Sequence, residues 1–297
     1  MVDIGTMNKN MNIVYIEDIL KRKIINIREI IHLDRFLSQI WKRLAFGRYT
    51  LRMHFDAVYR PQYAFGVYSA SMQAKALGLN RISVFEFGVA GGNGLLALED
   101  AAINIGKELN IEIDVFGFDL FTGLPEPKDY RDLSYWFLPN SFQSDVDKLK
   151  SRLRTAILVS GDVKDTIPSF LDSFNTGPIG FCSFDLDYYS STSDALRILN
   201  GVHHTRLPRT ICYFDDIVGI SDLTILCHDV GQLLAIDEFN DNHPFMNLCP
   251  IHKLRNKRII KYEWNDHIYA LHDFKHPLYN TIVNPFSSDY ATRSTSI

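Results

Sequence analysis

Short apolar runs that end in glycine or aspartate alternate with segments whose apolar residues recur every three or four positions. Five runs read as strands: Val84 to Phe87, Val115 to Asp119, Ala156 to Ser160, Ile179 to Phe184 and Thr210 to Phe214. They are rich in β-branched and aromatic residues and too short for buried helices. Helical spacing falls between them, over Leu95 to Leu109, from Ser144 or Asp145 to Leu153, from Asp165-Thr166-Ile167-Pro168 onward, and through Leu199, where Ser191 or Thr192 can cap. Val230 to Phe239 is a further helix. Met246 to Ile251 and His267 to Leu271 are two closing strands, and the basic stretch Lys253 to Lys261 between them reads as a solvated hairpin. This order predicts an α/β fold, a doubly wound, mostly parallel seven-stranded sheet with helices on both faces.

Upstream of the first strand the pattern is helical. Ile13 to Ala45 reads as two amphipathic helices broken near Leu33-Asp34, and Ser69 to Leu77 has helical character. Residues 1–80 are therefore expected to form a helical N-terminal extension, serving as a lid, an interface or core cover. Residues 81–285 form the sheet domain, and residues 286–297 a loose tail. Tyr63 and Tyr68 precede the first strand and are candidates to stack on a ligand ring, against the plainer role of core.

The densest chemistry follows that first strand, in Glu86-Phe87-Gly88-Val89-Ala90-Gly91-Gly92-Asn93-Gly94. Glycines let the backbone bend sharply and approach a ligand. Asn93 can cap the next helix, and such a turn presents unpaired N–H groups above the strand ends. The second strand ends in Asp119, where one carboxylate can accept from both hydroxyls of a ribose. Asp162, after the third strand, can meet an adenine amine or cap a helix. The fourth strand runs into Asp185-Leu186-Asp187 and the fifth into Asp215-Asp216. Residues two apart on a strand share a face. Carboxylates gathered in this way raise one another's pKa unless a cation sits among them. An all-oxygen set suits Mg²⁺, Ca²⁺ or Mn²⁺. The long polar and aromatic loop Lys128 to Gln143 reads as a substrate flap over these ends.

Composition narrows the classes. With 46% hydrophobic and 22% charged residues, the chain is ordinary globular protein with enough apolar content for a sizeable core. A net charge of -4 with no long basic run speaks against a nucleic-acid or membrane-surface partner. Cys182, Cys212, Cys227 and Cys249 form no C-x-x-C pair, and the first and second fall in predicted buried strands. Reduced core thiols in a cytoplasmic protein are expected rather than disulfides or a zinc site. No secretory signal and no membrane-length apolar run is visible. A homo-oligomer acting on a small molecule is expected.

These segments, in this order and spacing, resemble those of class I S-adenosylmethionine-dependent methyltransferases. Within that class the chain is similar to the metal-dependent sugar O-methyltransferases of the macrocin type, over roughly Arg81 to Gly219. The carriers are the acid-plus-glycine motif at 86–94, Phe118-Asp119-Leu120-Phe121-Thr122-Gly123-Leu124-Pro125, Gly161-Asp162-Val163-Lys164-Asp165-Thr166-Ile167-Pro168, Asp185-Leu186-Asp187-Tyr188-Tyr189-Ser190-Ser191-Thr192 and Asp215-Asp216. Leu186 departs from the glycine expected there in the sugar-modifying enzymes, which bears on substrate class more than on fold. The resemblance implies a Rossmann-like methyltransferase domain using S-adenosylmethionine and a divalent cation, Mg²⁺ first. It implies cofactor contacts at Glu86, Gly88, Gly91, Gly92, Asn93, Asp119, Asp162 and Asp185, and metal ligands at Asp185, Asp215 and Asp216, with Asp187 either joining them or serving as the catalytic base, a role that a histidine of the C-terminal half could also fill. A strand, glycine turn and helix also serve nicotinamide-dependent oxidoreductases, and a non-catalytic binding protein could retain the sheet.

Overall fold

The computed structural model describes residues 34–219 and 223–284. The helix expected over 13–33 and the tail after Ser287 lie outside the described residues. Seven strands form one sheet in the order β3-β2-β1-β4-β5-β7-β6. In chain order they are β1 (Arg81–Phe87), β2 (Glu112–Asp119), β3 (Ile157–Ser160), β4 (Ile179–Phe184), β5 (Arg206–Phe214), β6 (Met246–Pro250) and β7 (Ile268–Asp273). The first five pair in parallel, and β7 runs antiparallel between β5 and β6.

Alternation along each strand divides the core in two. On one face Val84, Phe181 and Ile211 pack with α1 (Pro61–Ala76) and α2 (Asn93–Leu109), through Tyr63, Val67, Leu95 and Leu98. On the other, Phe85, Cys182 and Cys212 pack under α3 (Val163–Asp172), α4 (Tyr189–Leu196) and α5 (Gly231–Asn242). That second face carries a row of phenylalanines in register, Phe118, Phe87, Phe184 and Phe214, one from each of four neighbouring strands. Their ring centroids lie 5.1, 5.1 and 4.9 Å apart along the row. The next residue on each strand is Asp119, Gly88, Asp185 or Asp215. The row therefore places these four positions along a single rim.

Several boundaries differ from the periodicity. The helix expected from Ser69 begins at Pro61, because proline suits the first helical position, where no N–H partner is needed. Asn93 does not cap α2. It is already the first helical residue, and Gly92 stands at the cap with φ 83°. Ser191 and Thr192 lie inside α4, which starts at Tyr189 and tightens into a 3₁₀ turn over Arg197–Asn200. Asp162 caps α3, so Pro168 sits inside that helix rather than opening it.

The basic stretch does join the antiparallel strands β6 and β7, with Lys253, Lys257 and Lys261 exposed, but it is not a simple turn and not solvated throughout. Leu254–Lys257 forms a short helix, and Arg258 is buried, donating to Asp56 Oδ1 at 2.9 Å and to the Met53 carbonyl at 3.0 Å. Trp264 Nε1 donates to the other Asp56 oxygen at 3.1 Å, and the guanidinium lies near the rings of Phe65 and Trp264. A charged run reads as solvent-facing only until a distant carboxylate claims one member. Among the described residues, no helix is long and apolar enough to cross a membrane. Asp56→Ala strips the buried guanidinium of its counter-charge and should lower the unfolding free energy by about 3–5 kcal/mol. The urea midpoint at unchanged m-value reports this. The double variant Asp56→Ala/Arg258→Met should recover part of the loss, since no charge then stays buried.

Candidate active site

β1 leaves the sheet at Phe87 and bends through Gly88 into α2. Gly88 has φ 87°, and a β-carbon there would collide with the Asp185 backbone carbonyl. The glycine thus serves first the close approach of β1 and β4. Gly94 is glycine for a second internal reason, since a β-carbon would strike Glu86 Oε1. At Gly91 a β-carbon would meet nothing within 4 Å, so the turn opens to space there. The turn is braced from β2. Asp119 Oδ2 accepts from the N–H groups of Val89 and Ala90, both at 2.7 Å, and Oδ1 accepts from Phe121 N–H at 2.5 Å. Two donors that the motif appeared to offer a ligand are therefore already paired. A carboxylate has about four acceptor directions, so Asp119 has little left for a ribose.

Glu86 lies under this turn, fully buried. Tyr63 O–H donates to its Oε1 at 2.8 Å, while Oε2 is buried with no partner. Burial holds the carboxyl well above the usual range; the Tyr63 bond opposes that shift and neighbouring Asp185 adds to it. Tyr63 is thus a buried prop for Glu86, not a ring for stacking on a ligand. Tyr68 packs edge-on against His54 at 5.4 Å, away from the cleft.

The cleft above the rim measures about 310 Å³. Glu86, Gly88, Gly91, Gly92, Asn93, Asp119, Asp162, Asp185 and Asp187 all line it. Asp162 does so while capping α3, its Oδ1 accepting from Lys164 N–H at 2.9 Å. Of the expected flap only Phe142 reaches the cleft; Gly123, Leu124 and Pro125 just before it form the wall. That loop is fastened by buried Asp132, which accepts from Lys128 N–H, Ser190 N–H and Ser190 O–H at 2.8, 2.7 and 3.0 Å.

Asp185, Asp215 and Asp216 each offer an oxygen within 4.8 Å of the others. Asp187 is not among these three. The strand alternation expected for it fails because β4 ends at Phe184 and Asp187 takes a left-handed φ of 62°. Its N–H donates to Asp216 Oδ2 at 3.0 Å. Tyr213 O–H donates to Asp215 Oδ1 at 2.5 Å, and Gln232 Oε1 accepts from Asp216 N–H at 3.0 Å. Burial, with Asp215 and Asp187 beside it, pushes the Asp185 carboxyl up to about 8 against the pull of Arg60. Burial and then Asp215 push Asp187 up to about 7. Asp216 goes well above the usual range, mainly by burial and then by Asp187. Half-buried carboxylates repelling one another at an open rim fit a hard divalent cation, and the orphaned Glu86 oxygen fits a cationic group of an organic cofactor.

No family model matches the sequence, and no curated protein matches it. Solved structures do match. The O-methyltransferase NovP is 14% identical, with a TM-score of 0.50 over 74% of this chain and 84% of that one. The chain has a Rossmann-like methyltransferase fold. The calicheamicin methyltransferase CalS11 is 20% identical at a TM-score of 0.46, covering 71% of this chain and 78% of its own. TomG from Streptomyces achromogenes is 16% identical at 0.42, covering 72% and 80%. The methyltransferase fold also parts from the dinucleotide-binding sheet of order 3-2-1-4-5-6, because here a reversed strand lies between β5 and β6.

Sequence reasoning missed three residues at and beneath the cleft: Arg60, Tyr213 and Gln232. Only Arg60 carried a signal, as a cation directly before the proline that starts a helix. The raised carboxyls give a testable pH dependence. The native state holds protons that the unfolded chain, with carboxyl pKa near ~4, has released. Unfolding free energy therefore falls as pH rises above about 4 and continues to fall through about 7 and 8, where Asp187 and Asp185 ionise in the native state. In chelator, the melting temperature should drop across that window, and excess Mg²⁺ should flatten the drop. A profile unchanged by Mg²⁺ would remove the cation from the rim.

Proposed function

We propose that the chain transfers a methyl group from S-adenosylmethionine to an oxygen of a small-molecule acceptor, a sugar hydroxyl first, with a divalent cation assisting. One observation carries this: the braced glycine turn and Asp185 line one cleft, and Asp185 belongs to a cluster of three carboxylates whose oxygens lie within reach of a single cation. The likeness to NovP, an O-methyltransferase by name, supports the choice of nucleophile.

The cofactor, when bound, supplies a methyl already activated on a positive sulfur. The chain's work is then alignment and proton removal. Glu86 offers its unpartnered oxygen to the ammonium of the amino-acid end. The turn from Gly88 to Asn93, held by Asp119, forms the floor. Asp119 gives its remaining acceptor capacity to the ribose, and Asp162 borders the adenine side. Asp185, Asp215 and Asp216 would hold the cation, which supplies Lewis-acid polarisation of acceptor oxygens. Asp187, on the same rim and tied through its N–H to Asp216, would take the proton from the acceptor hydroxyl.

Calorimetry should show S-adenosylhomocysteine binding to the wild type. Asp216→Asn should abolish Mn²⁺ binding measured by paramagnetic resonance while leaving S-adenosylhomocysteine affinity within about twofold. Its metal-stimulated turnover should fall by about 100-fold or more. Turnover unchanged in EDTA would refute the cation's part. Binding of a nicotinamide cofactor without S-adenosylhomocysteine would place the chain among the oxidoreductases.

A further inference from the structure

Arg60 is the only cationic side chain among the residues lining the cleft. It stands at the cap of α1 with φ 46° and ψ 65°, a left-handed state rare for a residue with a β-carbon. Its guanidinium sits 5.6 Å from the Tyr63 ring centroid. Among the described residues it forms no ion pair, although Asp185, Asp215 and Glu86 all act on its charge. Three residues along, on the same side of the first turn, Tyr63 holds the Glu86 carboxyl by one oxygen and leaves the other orphaned. One helix start therefore presents a free guanidinium and props a free carboxyl oxygen at the same end of the cleft. An α-amino acid group is complementary to such a pair, since its ammonium and carboxylate are borne on one carbon.

We propose that Arg60 binds the carboxylate of the cofactor's amino-acid end, beside Glu86 at its ammonium. The first turn of α1 is then the element that distinguishes the whole cofactor from its nucleoside part. This assignment rests on the methyltransferase reading. A guanidinium forms paired N–H donations to a carboxylate, a geometry that lysine does not reproduce.

Two ligands separate the parts: S-adenosylhomocysteine, and 5′-methylthioadenosine, which keeps the nucleoside and thioether but lacks the amino acid. By calorimetry, Arg60→Met should weaken S-adenosylhomocysteine by about 10- to 100-fold. It should leave 5′-methylthioadenosine within about twofold. Arg60→Gly suits the left-handed backbone, keeps the fold, and should repeat the pattern. Arg60→Lys should fall between the wild type and Arg60→Met. Unchanged S-adenosylhomocysteine affinity in Arg60→Met and Arg60→Gly would overturn the proposal, as would equal weakening of both ligands. A loss confined to the KM of an acidic acceptor would overturn it too, by assigning Arg60 to that acceptor. A wild-type protein that binds neither ligand would instead fail the methyltransferase reading itself.

Discussion

The register of four parallel strands is the constraint on which the site depends. Backbone bonds continue the ladder one residue past the strands. Gly88 N–H donates to Phe118 O at 2.9 Å, Asp185 N–H to Phe87 O at 2.9 Å, and Asp215 N–H to Phe184 O at 3.1 Å. Beneath them the phenylalanine row fills one face with fully buried rings. A slip of one residue would turn every side chain to the opposite face and carry the phenylalanines out of their core. Hydrophobic packing below the rim therefore fixes where the polar residues above it stand. The same packing makes the gathering of like charges affordable.

That gathering leaves a site under electrostatic tension. Asp185, Asp187 and Asp216 have raised carboxyl pKa values for a shared reason: each is partly withdrawn from water and each faces another acid. Backbone strain collects in the same place. Arg60, Ala90 and Asp187, all with β-carbons, take left-handed φ values around the cleft. Ala90 is held there by its bond to Asp119, and Asp187 by its bond to Asp216. Such strain persists only where neighbouring structure over-determines it, and it clusters where ligands are gripped.

The segment before β1 is part of this machinery. α1 lies on the sheet through Tyr63 and Val67 and sends Arg60 into the cleft. Asp56, just ahead of it, is tied to Arg258 across 202 residues of chain. A contact between segments far apart in sequence thus fixes the approach to the helix that props Glu86.

Local pattern was enough for the alternation of strands and helices, the reversed closing strands, the glycine turn and the acids at successive strand ends. These features are written in neighbouring residues, because side-chain period and turn chemistry act over a few positions. What Asp119 bonds to, why Gly94 has no side chain, where Asp187 leaves the strand, and how Arg258 comes to be buried were settled only by tertiary structure. Each depends on a group that the chain brings near from a distant position, and no period along the sequence encodes such a meeting. Arg60 shows the limit most clearly. As a residue it is one basic side chain before a proline; as a position in the fold it is the cation facing a cleft of acids.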